Sequence, residues 1–213
     1  METIKYILLS MFDGVAIFTF GFGMYQVKLR EYWIQFVVAS LCISVASYLY
    51  RDYGLPENFA PIVNIGLMIV FLISLFKISL LSSLRISGIS FLFSFIAQTI
   101  IAVLFMVSTS KSLDSTLFTY GYIVQIAGDS IVIFTSLYLR KKSIWFTTLP
   151  YQYSLKFKLN FSNITLFIAS LLGVTFMSKS IFNNIYISGL FWLAIFVIMI
   201  MIEFRKELKD ENN

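Results

Sequence analysis

The sequence predicts an all-α membrane protein, a polytopic bundle of about seven transmembrane helices with its N-terminus outside and its C-terminus inside. Three observations carry that expectation. Of the 213 residues 59% are hydrophobic and only 13% charged, against roughly 25% charged in a soluble domain, and the mean hydropathy is +0.86. Seven long apolar runs divide the chain, and at about 20 residues per crossing of a hydrocarbon core about 30 Å thick they use nearly all of it. Finally, 12 of the 16 Lys and Arg residues fall in alternate gaps between the runs and 4 in the others. Cationic side chains resist transfer across lipid, so the richer gaps are cytoplasmic.

The spans are expected at about Ile4 to Tyr25, Tyr32 to Tyr50, Phe59 to Phe76, Ile86 to Val107, Thr116 to Leu139, Ile164 to Met177 and Ile181 to Phe204. Lys28 with Arg30 ends the first span and Arg51 ends the second, while Gly54 and Pro56 break the chain before the third. Lys77 and Arg85 are read as the gap after the third span, and Ser108 to Ser115 as the gap before the fifth. The basic run Arg140, Lys141, Lys142 follows the fifth, and Pro150 interrupts the longest connection. The sixth span is short and only a tight turn at Lys179 separates it from the seventh, but the alternation of charge requires an odd count. The remaining residues, 205–213, form a charged cytoplasmic tail.

These features exclude several function classes. With no histidine and a single Cys42 inside an apolar run, the chain offers no His metal site, no His-activated nucleophile and no intrachain disulfide. No cofactor or metal is expected, and no enzymatic activity. The net charge of +5 lies beside apolar spans rather than along one exposed face, so a bilayer surface is the expected partner and nucleic acid is not. The first run is read as a retained span rather than a signal peptide, because Asp13 interrupts it and Lys28 and Arg30 follow it. No internal repeat is evident, which lowers a duplicated-transporter reading.

Two carboxylates lie deep within spans. Asp13 and Asp129 sit roughly 14 and 20 Å below the outer ends of helices that run in the same direction, and each costs about 3 kcal/mol if it stays charged. No Lys or Arg is expected deep enough to pair with them. Gln125, one turn before Asp129, Gln98 in the fourth span and Asn64 in the third complete a candidate polar patch, read as a ligand or proton site or as hydrogen bonds that hold helices together. The strings FDG at Phe12 to Gly14 and AGD at Ala127 to Asp129 are similar to the paired aspartates of intramembrane aspartyl proteases, though Ile126 stands where that motif has a glycine. Ser40, Ser44 and Ser47 form a stripe for close helix packing, and Gly21 and Gly23 read as a loosened helix exit.

Tyr151 to Phe161 alternates apolar and polar residues at every position, which predicts an extended strand or hairpin on the membrane surface. Its Lys156 and Lys158, with Arg140, Lys141 and Lys142, are candidates for cytoplasmic docking or for lipid headgroups. The tail EFRKELKDENN places Glu203 three residues before Lys206 and Lys206 four before Asp210, a pattern for a solvated helix.

The stretch ILLSMFDGVAIFTFGFGMYQVKLREYW, the Phe- and Ile-rich spans after it and the exit helix RKELKDENN together resemble the membrane sensor region of peptide-pheromone receptor histidine kinases of the accessory-gene-regulator type. The likeness is one of layout. It implies a sensor-like module without the kinase domain, acting through another membrane protein or a peptide ligand in a bacterial cytoplasmic membrane. A small-solute or ion transporter with a protonatable intramembrane Asp is the alternative, and a di-aspartyl intramembrane protease a lesser one.

Overall fold

A computed structural model of the chain describes residues 2–25, 27, 29–53, 60–110, 113–144, 146 and 185–211. Their regular structure is helical: α1 (Glu2–Gly23), α2 (Leu29–Asp52), α3 (Ala60–Ser74), α4 (Leu80–Thr109), α5 (Leu113–Lys141) and α6 (Ile185–Glu211). Four of these, α1, α2, α4 and α5, hold stretches long and apolar enough to cross a membrane; α3 is apolar but shorter, at 15 residues. The expected sixth span and the alternating segment Tyr151 to Phe161, with Lys156 and Lys158, lie outside the described residues.

The bundle is apolar outside and partly polar inside, as a lipid-solvated protein should be, since lipid tails give apolar side chains little reason to leave the surface. Ile100, Leu104 and Val107 of α4 and Ile123, Phe134 and Tyr138 of α5 are exposed, while Ser40, Ser44, Ser83, Ser87, Ser90 and Ser136 are buried. Small side chains bring the backbones together. A Cβ on Gly14 would lie 2.8 Å from Ser40 Oγ, one on Gly21 2.6 Å from Ser90 Oγ, and one on Gly23 would collide with Ser136 Oγ. Gly21 and Gly23 are therefore points of close approach and not a frayed exit: α1 stays helical through Gly23. Ser44, Ser87 and Ser90 cost little because they donate to carbonyls in the preceding turn of their own helices, whereas the hydroxyls of Ser40 and Ser83 are buried without a partner.

Side-chain contacts give each helix its direction. α1 packs against α2, α4 and α5. It is antiparallel to α2, through Phe18 on Phe36 and Tyr6 on Tyr48, and parallel to α5, where Leu9 meets Gln125 and Thr19 meets Ser136. α4 is antiparallel to α1, α5 and α6; Phe95 meets Trp192 edge to face and Phe93 meets Phe196 at a tilt. Thus α1, α5 and α6 point one way and α2 and α4 the other. The ends of α1, α5 and α6 share one face of the bundle with the starts of α2 and α4. At that face Phe146 N donates to Met24 O at 2.6 Å, joining the segments that follow α5 and α1 in a single parallel bridge.

α4 begins six residues earlier than the hydropathy pattern suggests. Ser79 caps it, accepting from Ser82 N at 3.4 Å with extended backbone (φ −63°, ψ 149°). Arg85, expected in a loop, therefore lies inside the helix and is buried. Ser110 ends the helix in the left-handed region at φ 52°.

Candidate functional site

Near the middle of the bundle three helices each contribute one polar side chain at the same level. Asp13 comes from α1, Gln98 from α4 and Asp129 from α5. Gln98 Nε2 donates to Asp13 Oδ1 at 3.2 Å and to Asp129 Oδ1 at 3.0 Å, and Ser94 Oγ, one turn before Gln98, donates to Asp13 Oδ1 at 3.3 Å. Gln98 Nε2 is thus the donor that the two carboxyl groups have in common. Asp129 is fully buried and its Oδ2 faces no donor. Among the described residues neither carboxyl is ion-paired, and no group of His, Cys, Asp and Glu could hold a metal ion.

Local packing explains why Gln98 reaches both acids. Gly128 precedes Asp129, and a Cβ there would sit 2.6 Å from Gln98 Cγ and 3.1 Å from its Cα; only a bare Cα lets α5 approach α4 closely enough. Ser83, Ser87, Ser90, Ser94 and Gln98 recur at spacings of four, three, four and four, one continuous stripe of α4. This stripe is legible in the sequence, and it marks the face α4 turns inward.

A cavity of about 60 Å³ opens beside Asp13 between α1, α2, α3 and α4, lined by Tyr6, Ser10, Ser44, Ser47 and Asn64 among others. It has room for a few waters or a small ion and falls well short of the roughly 300–1,000 Å³ of drug-sized ligand sites. Asn64 forms its far wall, where its Oδ1 accepts from Ser47 Oγ at 2.6 Å. Gln125 does not join the carboxyl pair; its Nε2 donates to Leu9 O at 3.4 Å and ties α5 to α1 one turn away.

A second polar site escapes the sequence pattern. Arg85 Nη1 lies 3.1 Å from both Oε1 and Oε2 of Glu203, and Nη2 donates to Ser82 Oγ at 3.2 Å. Both side chains are almost completely enclosed, at 2% and 0% exposure. Arg85 is thus not the loop cation that the gap pattern suggests, and Glu203 belongs to the packed bundle, where its partner is Arg85. Of the basic run after α5, Lys141 and Lys142 are exposed, whereas Arg140 Nη1 donates to Val27 O at 2.6 Å and fastens the α1–α2 connection.

Compared with protein families, characterised proteins and solved structures, the chain matches none. Its chemistry must be argued from the site itself.

Proposed function

We propose that the chain is a non-enzymatic integral membrane protein of sensor-like or regulatory type, in which the state of the Asp13–Gln98–Asp129 site sets the position of α6. The carrying observation is that α4 holds both ends of this linkage. Its Gln98 bridges the carboxyl pair, and its Arg85, 13 residues or about 20 Å along the helix, clamps Glu203 of α6. A proton or small ion that changes how Gln98 is shared has to move α4 or break bonds to it, and α6 follows through the buried ion pair. α6 then runs without a break from the apolar stretch around Trp192 into the charged segment that begins at Glu203. A two-state element biased at one end and read at the other is what signal transfer requires.

The seven-span topology with an outside N-terminus belongs to this proposal. It is supported by the parallel course of α5 and α6, which in a membrane calls for one further crossing between them and so makes seven with α1 to α5 and α6, and by the gathering of Arg30, Lys77, Arg140, Lys141, Lys142 and Arg205 at one face while Lys5 and Arg51 lie at the other. Binding of another membrane protein or a peptide by residues 140–161 and the tail follows from the same reading, as does a bacterial cytoplasmic membrane as its location.

Spin labels at the start of α4 and the end of α6, in a Cys42→Ser background, test the linkage. Asp13→Asn and Asp129→Asn should each change the inter-label distance by an ångström or more; an α6 indifferent to both sinks the proposal. A specific partner should co-purify from detergent and be lost when residues 151–161 are deleted.

The ion-sized cavity at Asp13 favours a second reading, a small-ion transporter with a protonatable carboxyl pair. Flux in proteoliposomes that is unchanged by Asp129→Asn removes it. A di-aspartyl protease is less well supported: the paired acids are present, but Gln98 Nε2 already bonds both of them where a catalytic water would stand, and Asp129 does not line the cavity.

A further inference from the structure

At the cation-rich face a groove of about 630 Å³ opens between the start of α2 and the end of α5, lined by Leu29, Arg30, Glu31, Leu137 and Arg140. Its volume lies within the range of ligand sites, roughly 300–1,000 Å³. Its walls are of two kinds. Leu29 and Leu137 form an apolar flank continuous with the lipid-facing side of the bundle, where Leu137 and Tyr138 are 48% and 59% exposed. Arg30 and Arg140 supply guanidinium groups at the top.

We infer that this groove binds one anionic phospholipid, its phosphate held by Arg30 and Arg140 and an acyl chain lying along Leu137. Four arguments converge. A guanidinium meets a phosphate through paired N–H donors, and Arg140 has donors to spare after giving Nη1 to Val27 O. Leu29 opens α2 and lines the groove, so the first turn of that helix borders the same place. Lys141 and Lys142, both exposed, extend the positive charge beyond the groove. Trp33, one turn after Arg30 and 59% exposed, stands with Tyr138 where an aromatic belt marks the headgroup level. Glu31 is the single acid in the wall. This site is separate from the Asp13–Asp129 pair and does not depend on the role proposed for that pair.

The test is native mass spectrometry and thermal unfolding of the purified chain with added phosphatidylglycerol, phosphatidylethanolamine or phosphatidylcholine. Phosphatidylglycerol should remain bound as a single adduct and raise the melting temperature, and Arg30→Gln should weaken that binding about fivefold, the factor expected for one surface cation near an anionic headgroup. Lys5→Gln at the opposite face should leave it unchanged, and the lipid-free melting temperature of Arg30→Gln should equal that of the unsubstituted chain. Equal retention of the two zwitterionic lipids, indifference to Arg30→Gln, or full displacement by millimolar inorganic phosphate overturns the assignment.

Discussion

The two buried polar sites answer the same problem, charge in a low-dielectric interior, in opposite ways. At Arg85 and Glu203 opposite charges neutralise each other, and both carboxylate oxygens of Glu203 are engaged by one guanidinium nitrogen. At Asp13 and Asp129 two like groups meet, with an uncharged carboxamide as their common donor and one oxygen left over. The first arrangement balances its charges in one state and resists change, although Arg85 Nε is buried without a partner. The second is incomplete whenever both acids are ionised, so it invites a proton or ion, and only such a site can respond to its surroundings. In the proposed function the ion pair would transmit and the carboxyl pair receive, although both are fastened to the same helix.

The largest effect should come from breaking the ion pair unequally. Arg85→Ala or Glu203→Ala strands one buried charge and should cost about 3–5 kcal/mol, seen as loss of the folded fraction in detergent thermal melts; the double substitution Arg85→Met, Glu203→Leu should recover most of it. If both single variants melt like the parent, the pair contributes nothing and the contrast between the sites fails. Next, Gln98→Leu removes the donor shared by the two acids and should cost about 1–3 kcal/mol, whereas Asp13→Asn and Asp129→Asn, which keep an acceptor for Gln98, should stay within about 1 kcal/mol in the same melts. A more costly Asp→Asn change would mean that the acids act as a fixed charged structure and not as an exchangeable site.

Gly128→Ala sharpens the geometry: its new methyl meets Gln98 Cγ and Cα and should cost about 1–3 kcal/mol. Gly121→Ala on the same helix meets nothing within 4 Å and should be neutral or slightly stabilising, with hydrogen exchange at Gln98 unchanged. The smallest effect is expected at the cavity's far wall, where Ser47→Ala removes one interhelical hydrogen bond worth about 0.6 kcal/mol, measurable in a double-substitution cycle with Asn64→Ala.

The sequence makes the helices far easier to read than their partnerships. Hydropathy alone locates α1, α2 and α5 to within a few residues and misses the first turns of α4, because the bilayer imposes a length that few other contexts demand. Counting residues along parallel helices sets Asp13 and Asp129 roughly 6 Å apart in depth, whereas the structure brings both to Gln98. Arg85 resisted the same treatment since it lies in SLLSSLR, whose serines read as a loop until Ser79 is seen to cap a helix, and because Glu203 is 118 residues away. Gln125 shows the opposite failure. Its place one turn from Asp129 assigns it to the carboxyl pair, but side chains on α5 lean toward the preceding turn, and Leu9 O lies closer to hand. Spacing along one helix identifies a shared face; it does not say which group on the neighbouring helix will be met there.

The order in which the chain is made adds a constraint on its biogenesis. Gln98 is made 85 residues after Asp13 and Asp129 later still, so during synthesis α1 waits with an unsatisfied acid and with Gly21 and Gly23 lacking the serines of α4 and α5 that they meet. Its residence in the lipid before α4 and α5 arrive is the step at which a chaperone or insertase would matter most.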